Sequence, residues 1–72
     1  MPDSVYKVVE LIGSSPISWE DAVKNVVEKT SQSLRDLRVA EVRELDVRIE
    51  NGKIMAYRAK VRISFKVEEE VD

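Results

Sequence analysis

Residues 38–67 of this chain, RVAEVRELDVRIENGKIMAYRAKVRISFKV, decide its fold. Asn51-Gly52 lies between two runs rich in β-branched and aromatic residues, and such a pair is the strongest short-range signal of a β-hairpin. Both central residues of a type I′ turn need positive φ, which Asn tolerates and Gly adopts freely. The sequence therefore predicts two long antiparallel strands, 38–50 and 53–67.

The segment before the hairpin predicts one strand and one helix. Residues 5–12, VYKVVELI, are typical of a strand, and the Gly-Ser-Ser-Pro run at 13–16 is expected to end it. Ser18 is placed to cap the following helix, with Asp21 answering it as in a capping box. Helical periodicity continues to about 34–36. The apolar stripe of this helix has spacings of three and four: Trp19, Ala22, Val23, Val26, Val27, Thr30, Leu34 and Leu37.

The order of these elements predicts an α+β fold, β-α-β-β, in which a three-stranded antiparallel sheet packs on one helix. If the first strand runs up and the helix down, an all-antiparallel sheet requires the strand order 1-3-2 with a right-handed crossover. The second strand is then left on an edge. One face of the third strand is apolar and is expected to contact the helix: Met55, Tyr57, Ala59, Val61, Ile63, Phe65 and Val67.

The hairpin register predicts a surface that a monomer would leave exposed. Counting outward from the turn gives the pairs Glu50–Lys53, Ile49–Ile54, Val47–Ala56, Leu45–Arg58, Arg43–Lys60 and Glu41–Arg62. This register puts an apolar patch on the face away from the helix, formed by Leu45, Val47, Ile49 and Ile54. It puts Glu44, Asp46 and Arg48 on the helix side. A bulge in the second strand would shift the phase. We favour self-association, because contiguous apolar patches and long edge strands mark interaction surfaces.

Size and composition support the same expectation. With 72 residues the chain is predicted to be a single domain, 1–72, with a core of about 5–67 and an acidic tail at 68–72. A domain of this size buries only about 60% of the surface of its unfolded chain. The chain has no Cys to form disulfides and no His to bind a metal as a neutral ligand. Oligomerisation is the stabilising device that remains.

Charge and hydropathy exclude several kinds of partner. Twelve basic and fourteen acidic residues are interspersed and give a net charge of −2, which argues against nucleic acid and against an anionic membrane surface. No apolar run approaches the ~20 residues of a membrane span. The first residues carry no basic region of the kind that begins a signal peptide. We therefore expect a cytoplasmic protein.

No arrangement of residues predicts catalysis. There are only two glycines and hence no phosphate-binding Gly-rich loop, and no Cys-His or Ser-His pair is possible. Adjacent carboxylates such as Glu20-Asp21 are more typical of a solvated surface than of an acid-base dyad. We expect a non-enzymatic protein.

Two weaker binding signals stay open. A basic row formed by Arg58, Lys60 and Arg62, with Arg43 beside it, suits an anion. We favour the alternative that this row belongs to a salt-bridge ladder with Glu41 and with acidic residues of neighbouring subunits. The acidic residues Glu44, Asp46, Glu50 and the tail could supply oxygen ligands to Ca²⁺, although no EF-hand-like spacing supports such a site.

Three stretches of the chain resemble the dodecin family. They are VYKVVELIGSSP at 5–16, LRDLRVAEV at 34–42 and AYRAKVRISFKVE at 56–68. The resemblance covers about residues 5–68 and agrees with the β-α-β-β order. It implies a hollow, roughly spherical homododecamer built from trimers, with the helices outside and the sheets lining the interior.

The resemblance also implies a ligand site at the subunit interfaces. Flavin-binding dodecins stack riboflavin, lumichrome or FMN on a Trp of the second strand and hydrogen-bond it with a Gln of the third. Here those positions hold Val39 and Arg58, and alignment adds Glu44 and Arg48 to the site. Without an aromatic plane, flavin binding is expected to be weak or absent, and Arg58 suits a small anionic molecule better. The alternatives are a genuine flavin-binding dodecin, a Ca²⁺-binding dodecin, or an adaptor that binds another protein by strand addition.

Overall fold

The computed structural model of the chain describes residues 4–67, so the acidic tail lies outside the described residues. Four elements follow one another: β1 (Tyr6–Ser15), α1 (Trp19–Ser31), β2 (Leu37–Glu50) and β3 (Lys53–Lys66). The strands form one antiparallel sheet in the order β1-β3-β2, which confirms the predicted topology. In this part of the chain no helix is long and apolar enough to span a membrane.

The core lies between α1 and the central strand. Ala59, Val61 and Ile63 of β3 are 0%, 0% and 1% exposed, and they pack against Ala22 and Val26 of the helix. Alternate residues of a strand point to opposite faces, so these three positions define the covered face of the sheet. The predicted apolar face of the third strand is confirmed at these positions.

Gly13 allows β1 to pass directly under the helix. A Cβ at this position would collide with the Val26 side chain and with the main-chain oxygen of Ala22. The prediction that residues 13–16 end the first strand is wrong, because β1 continues to Ser15, which pairs with Tyr57 of the long central strand. Pairing with β3 therefore overrides the local turn signal.

The helix begins where the sequence predicts and ends earlier. Ser18 is the N-cap, and its hydroxyl accepts a hydrogen bond from the Asp21 amide at 3.0 Å. The Asp21 carboxylate accepts a hydrogen bond from the Ser15 hydroxyl at 2.7 Å, which ties the end of β1 to the first helical turn. The helix ends at Ser31, and Asp36 then adopts a left-handed φ of 66° as the chain turns into β2.

The hairpin turn is confirmed, but half of the predicted pairs are not. Asn51 and Gly52 have φ values of 52° and 74°, as a type I′ turn requires. The pairs Glu50–Lys53, Ile49–Ile54 and Glu41–Arg62 are as predicted. The predicted pairs Val47–Ala56, Leu45–Arg58 and Arg43–Lys60 are wrong. The observed pairs between them are Arg48–Ala56, Val47–Tyr57, Asp46–Arg58, Leu45–Ala59 and Glu44–Lys60.

Two bulges explain this difference. The pairing skips Met55 in β3 close to the turn, and it skips Arg43 in β2 further along. Each bulge adds one residue to one strand and so shifts the phase of the side chains. Leu45 and Val47 therefore lie on the covered side of the sheet. Glu44, Asp46 and Arg48 lie on the opposite side, and their predicted placement beside the helix is wrong.

The hairpin reaches well beyond the helix and makes the molecule elongated, with principal extents of 58 × 20 × 14 Å. Trp19, the first residue of α1, lies against Tyr57 with ring centroids 5.1 Å apart, and this contact marks the end of the helical cover. We call residues 47–56 the hairpin extension. Ile49 and Ile54 in this extension are 61% and 54% exposed.

Candidate functional site

The face of the sheet opposite the helix, which we call the open face, carries a ladder of ion pairs. It is formed by alternate residues of the three strands: Val8, Glu10, Ile12 and Ser14 of β1; Val39, Glu41, Glu44, Asp46 and Arg48 of β2; and Arg58, Lys60, Arg62 and Ser64 of β3. The basic row of β3 contacts acidic residues of the neighbouring strands: Arg58–Asp46 at 2.8 Å, Lys60–Glu44 at 3.4 Å and Arg62–Glu10 at 3.2 Å. The basic row is thus part of a salt-bridge ladder.

The acidic partners differ in part from those predicted. Glu41 lies opposite Arg62 in the register, but its carboxylate contacts Arg43 at 3.2 Å. Arg62 contacts Glu10 of β1 instead. Each of the three bases in the row therefore has an acidic partner within the same subunit.

The Arg58–Asp46 pair is bidentate, unlike the other two rungs. Nε and one terminal nitrogen of the guanidinium donate to the two carboxylate oxygens at 2.8 and 3.0 Å. Parallel hydrogen bonds of this kind fix both the geometry and the charge state of the pair. The hydrogen bond from Arg58 holds the pKa of Asp46 below its ordinary value, and the bond to Asp46 raises the pKa of Arg58. Arg58 is therefore already engaged by an internal anion.

The four residues predicted for the ligand site all lie on the open face, but one subunit does not bring them together. Val39 pairs with Ser64, and Arg58 lies six positions away along β3. At ~3.4 Å per residue, Val39 and Arg58 are roughly 20 Å apart. Glu44 lies on the rung next to Arg58, whereas Arg48 lies nearer the turn. A site that contains all four would need more than one copy of the chain.

The surface around Val39 carries two exposed aliphatic side chains. Val8, Ser64 and Val39 form one row across the three strands, and the two valines are 55% and 59% exposed. Branched aliphatic side chains offer contact area but no aromatic plane on which a ring could stack. Sequence analysis missed Val8, because the pairing of β1 with β3 was not assigned residue by residue.

Trp19 has a structural role on the other side of the sheet. Its ring meets Tyr57 at an interplanar angle of 76°, and its Nε1 donates to the main-chain oxygen of Asp46 at 3.0 Å. The place of Trp19 at the head of the predicted apolar stripe agrees with these packing contacts. An open apolar groove of about 230 Å³ lies beside it, lined by Trp19, Glu20, Val23, Val42 and Leu45.

Sequence analysis also missed Asp46 as the partner of Arg58. A signal was available in the charges, because opposite charges across neighbouring strands are stabilising. The simple register opposes Leu45 to Arg58 and Arg43 to Lys60. A shift by one residue opposes an acidic residue to each of these bases. The second arrangement agrees with the observed bulge at Met55.

Comparison with known proteins decides the family. A family model for dodecin matches residues 5–68. The chain belongs to the dodecin family. Calcium dodecin from Mycobacterium tuberculosis is 44% identical over 64 residues, which are 89% of this chain and 90% of the relative. The dodecin of Thermus thermophilus is 32% identical over 65 residues, 90% of this chain and 94% of the relative.

Solved dodecin structures share the fold. The dodecin of Streptomyces coelicolor superposes with a TM-score of 0.90 at 34% identity, covering 97% of this chain and all of that chain. Calcium dodecin from M. tuberculosis, described as calcium chelating with a novel calcium-binding site, gives a TM-score of 0.80 at 44% identity. The match covers 96% of this chain and 99% of that chain. The predicted fold and family are confirmed.

The described part of this dodecin contains no group of three or more acidic or other metal-ligating side chains placed to hold a metal ion. Glu44 and Asp46, which were considered as Ca²⁺ ligands, each contact a basic side chain. Glu50, the third candidate, contacts Arg48 at 2.8 Å. The fourth candidate, the tail at 68–72, lies outside the described residues.

Proposed function

We propose that this chain is a non-enzymatic dodecin subunit that assembles into a hollow homododecamer of trimers and binds or stores a small molecule, with flavin binding weak or absent. Membership of the dodecin family supports the shell and the binding role. The sheet, which has a helix on only one face, offers the open face as the lining of such a shell. A cytoplasmic location is part of the same proposal, and cell fractionation tests it.

The proposal rests on the side chains at Val39 and Arg58. These are the positions at which flavin-binding dodecins carry the stacking Trp and the hydrogen-bonding Gln, and we call the two positions the flavin clamp. Val39 supplies no aromatic plane, and loss of ring stacking removes roughly 1–3 kcal/mol per ring face. Arg58 offers donors and no acceptor, and Asp46 already holds its guanidinium. A neutral flavin ring therefore finds neither its stacking partner nor a free amide at these positions.

The hairpin extension supports assembly. Ile49 and Ile54 are more than half exposed, although a domain with so small a core gains from every apolar side chain it buries. Association of copies through this surface would supply the missing burial. We expect sedimentation velocity to show one large species at micromolar concentration, and Ile49→Asp to shift it to smaller species. Glu50→Gln, at the next position, is the control and should leave the large species intact.

A titration of riboflavin and FMN with purified protein, followed by flavin fluorescence, tests the altered clamp. We expect no saturable quenching at micromolar protein. Stoichiometric, saturable quenching would contradict our interpretation of Val39 and Arg58 and would favour a genuine flavin-binding dodecin. The sedimentation result would stand in either case, because it does not depend on the ligand.

Calcium binding is a second candidate, favoured by the 44% identical relative that is named calcium dodecin. Within one subunit the carboxylates of the open face are paired with basic residues, so a Ca²⁺ site would need the tail at 68–72 or acidic residues from several copies. Calorimetric titration with Ca²⁺, and with Mg²⁺ as the control ion, tests this candidate. Removal of residues 68–72 should abolish the heat if the tail supplies the ligands.

An adaptor that binds other proteins by strand addition is the remaining alternative. It needs a free edge, and β2 lies at an edge of the sheet in a single subunit. Bulges at Arg38 and Arg43 interrupt the pairing of this strand, and such irregularities discourage strand addition. A uniform large homo-oligomer would argue further against the adaptor.

A further inference from the structure

Asp46 is the open-face residue whose side chain is held most firmly. Both of its carboxylate oxygens accept hydrogen bonds from Arg58, at 2.8 and 3.0 Å. The neighbouring Lys60–Glu44 rung has one contact at 3.4 Å, and an ammonium group can rotate away from it. Of these two rungs, only the Asp46 rung engages its basic partner through two hydrogen bonds at once.

Two structural features place Asp46 opposite Arg58. The bulge at Met55 sets the phase of the hairpin so that Asp46, and not Leu45, lies opposite Arg58. On the covered face, the Trp19 indole donates to the main-chain oxygen of Asp46 at 3.0 Å and packs against Tyr57, the residue before Arg58. The Asp46 backbone is therefore held from the covered side of the sheet, and the residue before Arg58 packs against the same tryptophan.

We propose that Asp46 determines the ligand specificity of the open face by occupying Arg58, so that phosphate-like anions are kept out. The proposal deepens the proposed function and rests on it, because it takes the open face around Arg58 as the ligand-facing surface. Asp46 acts through Arg58 and is a positioning residue. The positive charge of Arg58 alone would instead favour the binding of phosphate-like anions.

The chemical reason is competition for one edge of the guanidinium. Arginine binds phosphate and carboxylate groups through parallel hydrogen bonds from the same fork of nitrogens. In this structure Nε and one terminal nitrogen already bind the Asp46 carboxylate. An incoming anion must displace that carboxylate or approach a pair whose net charge is zero. Removal of the carboxylate charge would convert the same position into an anion site.

The test is calorimetric titration of inorganic pyrophosphate into the assembled protein and into Asp46→Asn. The asparagine has the shape of aspartate and leaves the main-chain contact with Trp19 in place. We expect wild type to bind pyrophosphate weakly and Asp46→Asn to bind it roughly tenfold or more tightly, since hydrogen bonds to charged groups are of that strength. FMN should gain affinity in the same variant relative to riboflavin. Asp46→Ser also leaves the Arg58 guanidinium unpaired. It replaces the asparagine variant in the titration if that variant does not assemble.

Three control variants separate this effect from general electrostatics. Glu28→Gln removes the same unit of charge from the helix and leaves the arginines of the open face paired, so it should not reproduce the gain. Asp46→Asn combined with Arg58→Gln should lose it. Asp46→Glu restores a carboxylate and should bind pyrophosphate as weakly as wild type.

The outcomes are distinct from those of the proposed function. Equal pyrophosphate affinity in wild type and Asp46→Asn would overturn the inference, as would a gain that persists in the double variant or appears equally in Glu28→Gln. Riboflavin binding by the wild-type protein would contradict the altered clamp, but it would leave the pyrophosphate comparison unchanged.

Discussion

The two faces of β3 differ in burial and in charge, although their residues alternate along one strand. Ala59, Val61 and Ile63 are almost fully buried under the helix, and any change in their volume affects packing. On the other face Arg58 is half-buried and Arg62 is exposed, and they are paired with acidic residues of the two neighbouring strands. The covered face specifies the fold, whereas the open face carries the charged side chains on which the proposed binding role rests.

The largest effect on stability is expected on the covered face. Ile63→Ala removes a side chain that is 1% exposed, and such truncations cost about 2–5 kcal/mol. Ser64→Ala, the next residue and on the open face, should change the free energy of unfolding by less than about 0.5 kcal/mol. Urea unfolding at one fixed protein concentration measures both variants. Equal losses would show that the two faces do not differ in this way.

A smaller loss is expected where β1 passes under the helix. Gly13→Ala adds a methyl group that collides with Val26 and with the backbone at Ala22, and overpacking of this kind costs typically about 1–3 kcal/mol. Ser14→Ala is the matched control because Ser14 lies on the open face opposite Arg58. If both variants unfold at the same urea concentration, the contact between Gly13 and the helix is looser than described.

The smallest effect concerns pH and the Asp46 carboxyl. Its pKa is lower in the folded chain because Arg58 donates hydrogen bonds to it. A carboxyl of this kind stabilises the fold above its unfolded pKa, and the contribution is lost as the pH falls through its folded pKa. Stability due to this pair should therefore be constant from neutral pH to about pH 5 and decline only in stronger acid. An NMR titration of the carboxyl carbon should show a higher pKa in Arg58→Gln, and an unchanged pKa would contradict the assignment.

The sequence predicts the turn, the strand order and the covered face of β3 because each has a local cause. Asn51-Gly52 requires positive φ, and the alternation from Ala59 to Phe65 has one period throughout. The phase of β2 has no Gly or Pro to mark it at the Met55 bulge, and only the charges opposite Arg58 and Lys60 indicate it. The helix end was predicted late because apolar residues such as Leu34 continue the stripe after the chain has left the helix.

From the sequence, the residues of the candidate site could be assigned only to one face of the sheet. Val39 and Arg58 were placed from resemblance, and strand alternation puts both on the open face. Their grouping into a pocket depends on surfaces that one copy of the chain cannot supply. The pairing of Arg58 with Asp46 depends on the bulge, so the proposal about anion binding rests on the observed register.

The most direct test of the altered clamp is to restore it. Val39→Trp combined with Arg58→Gln supplies the aromatic plane and the amide that the dodecin resemblance associates with flavins. Val42→Trp combined with Arg58→Gln is the control, since Val42 pairs with Val61 and so lies on the covered side. Riboflavin fluorescence should be quenched saturably by the restored protein and not by wild type or the control. Quenching by wild type, or no quenching by a restored protein that still assembles, would contradict the account.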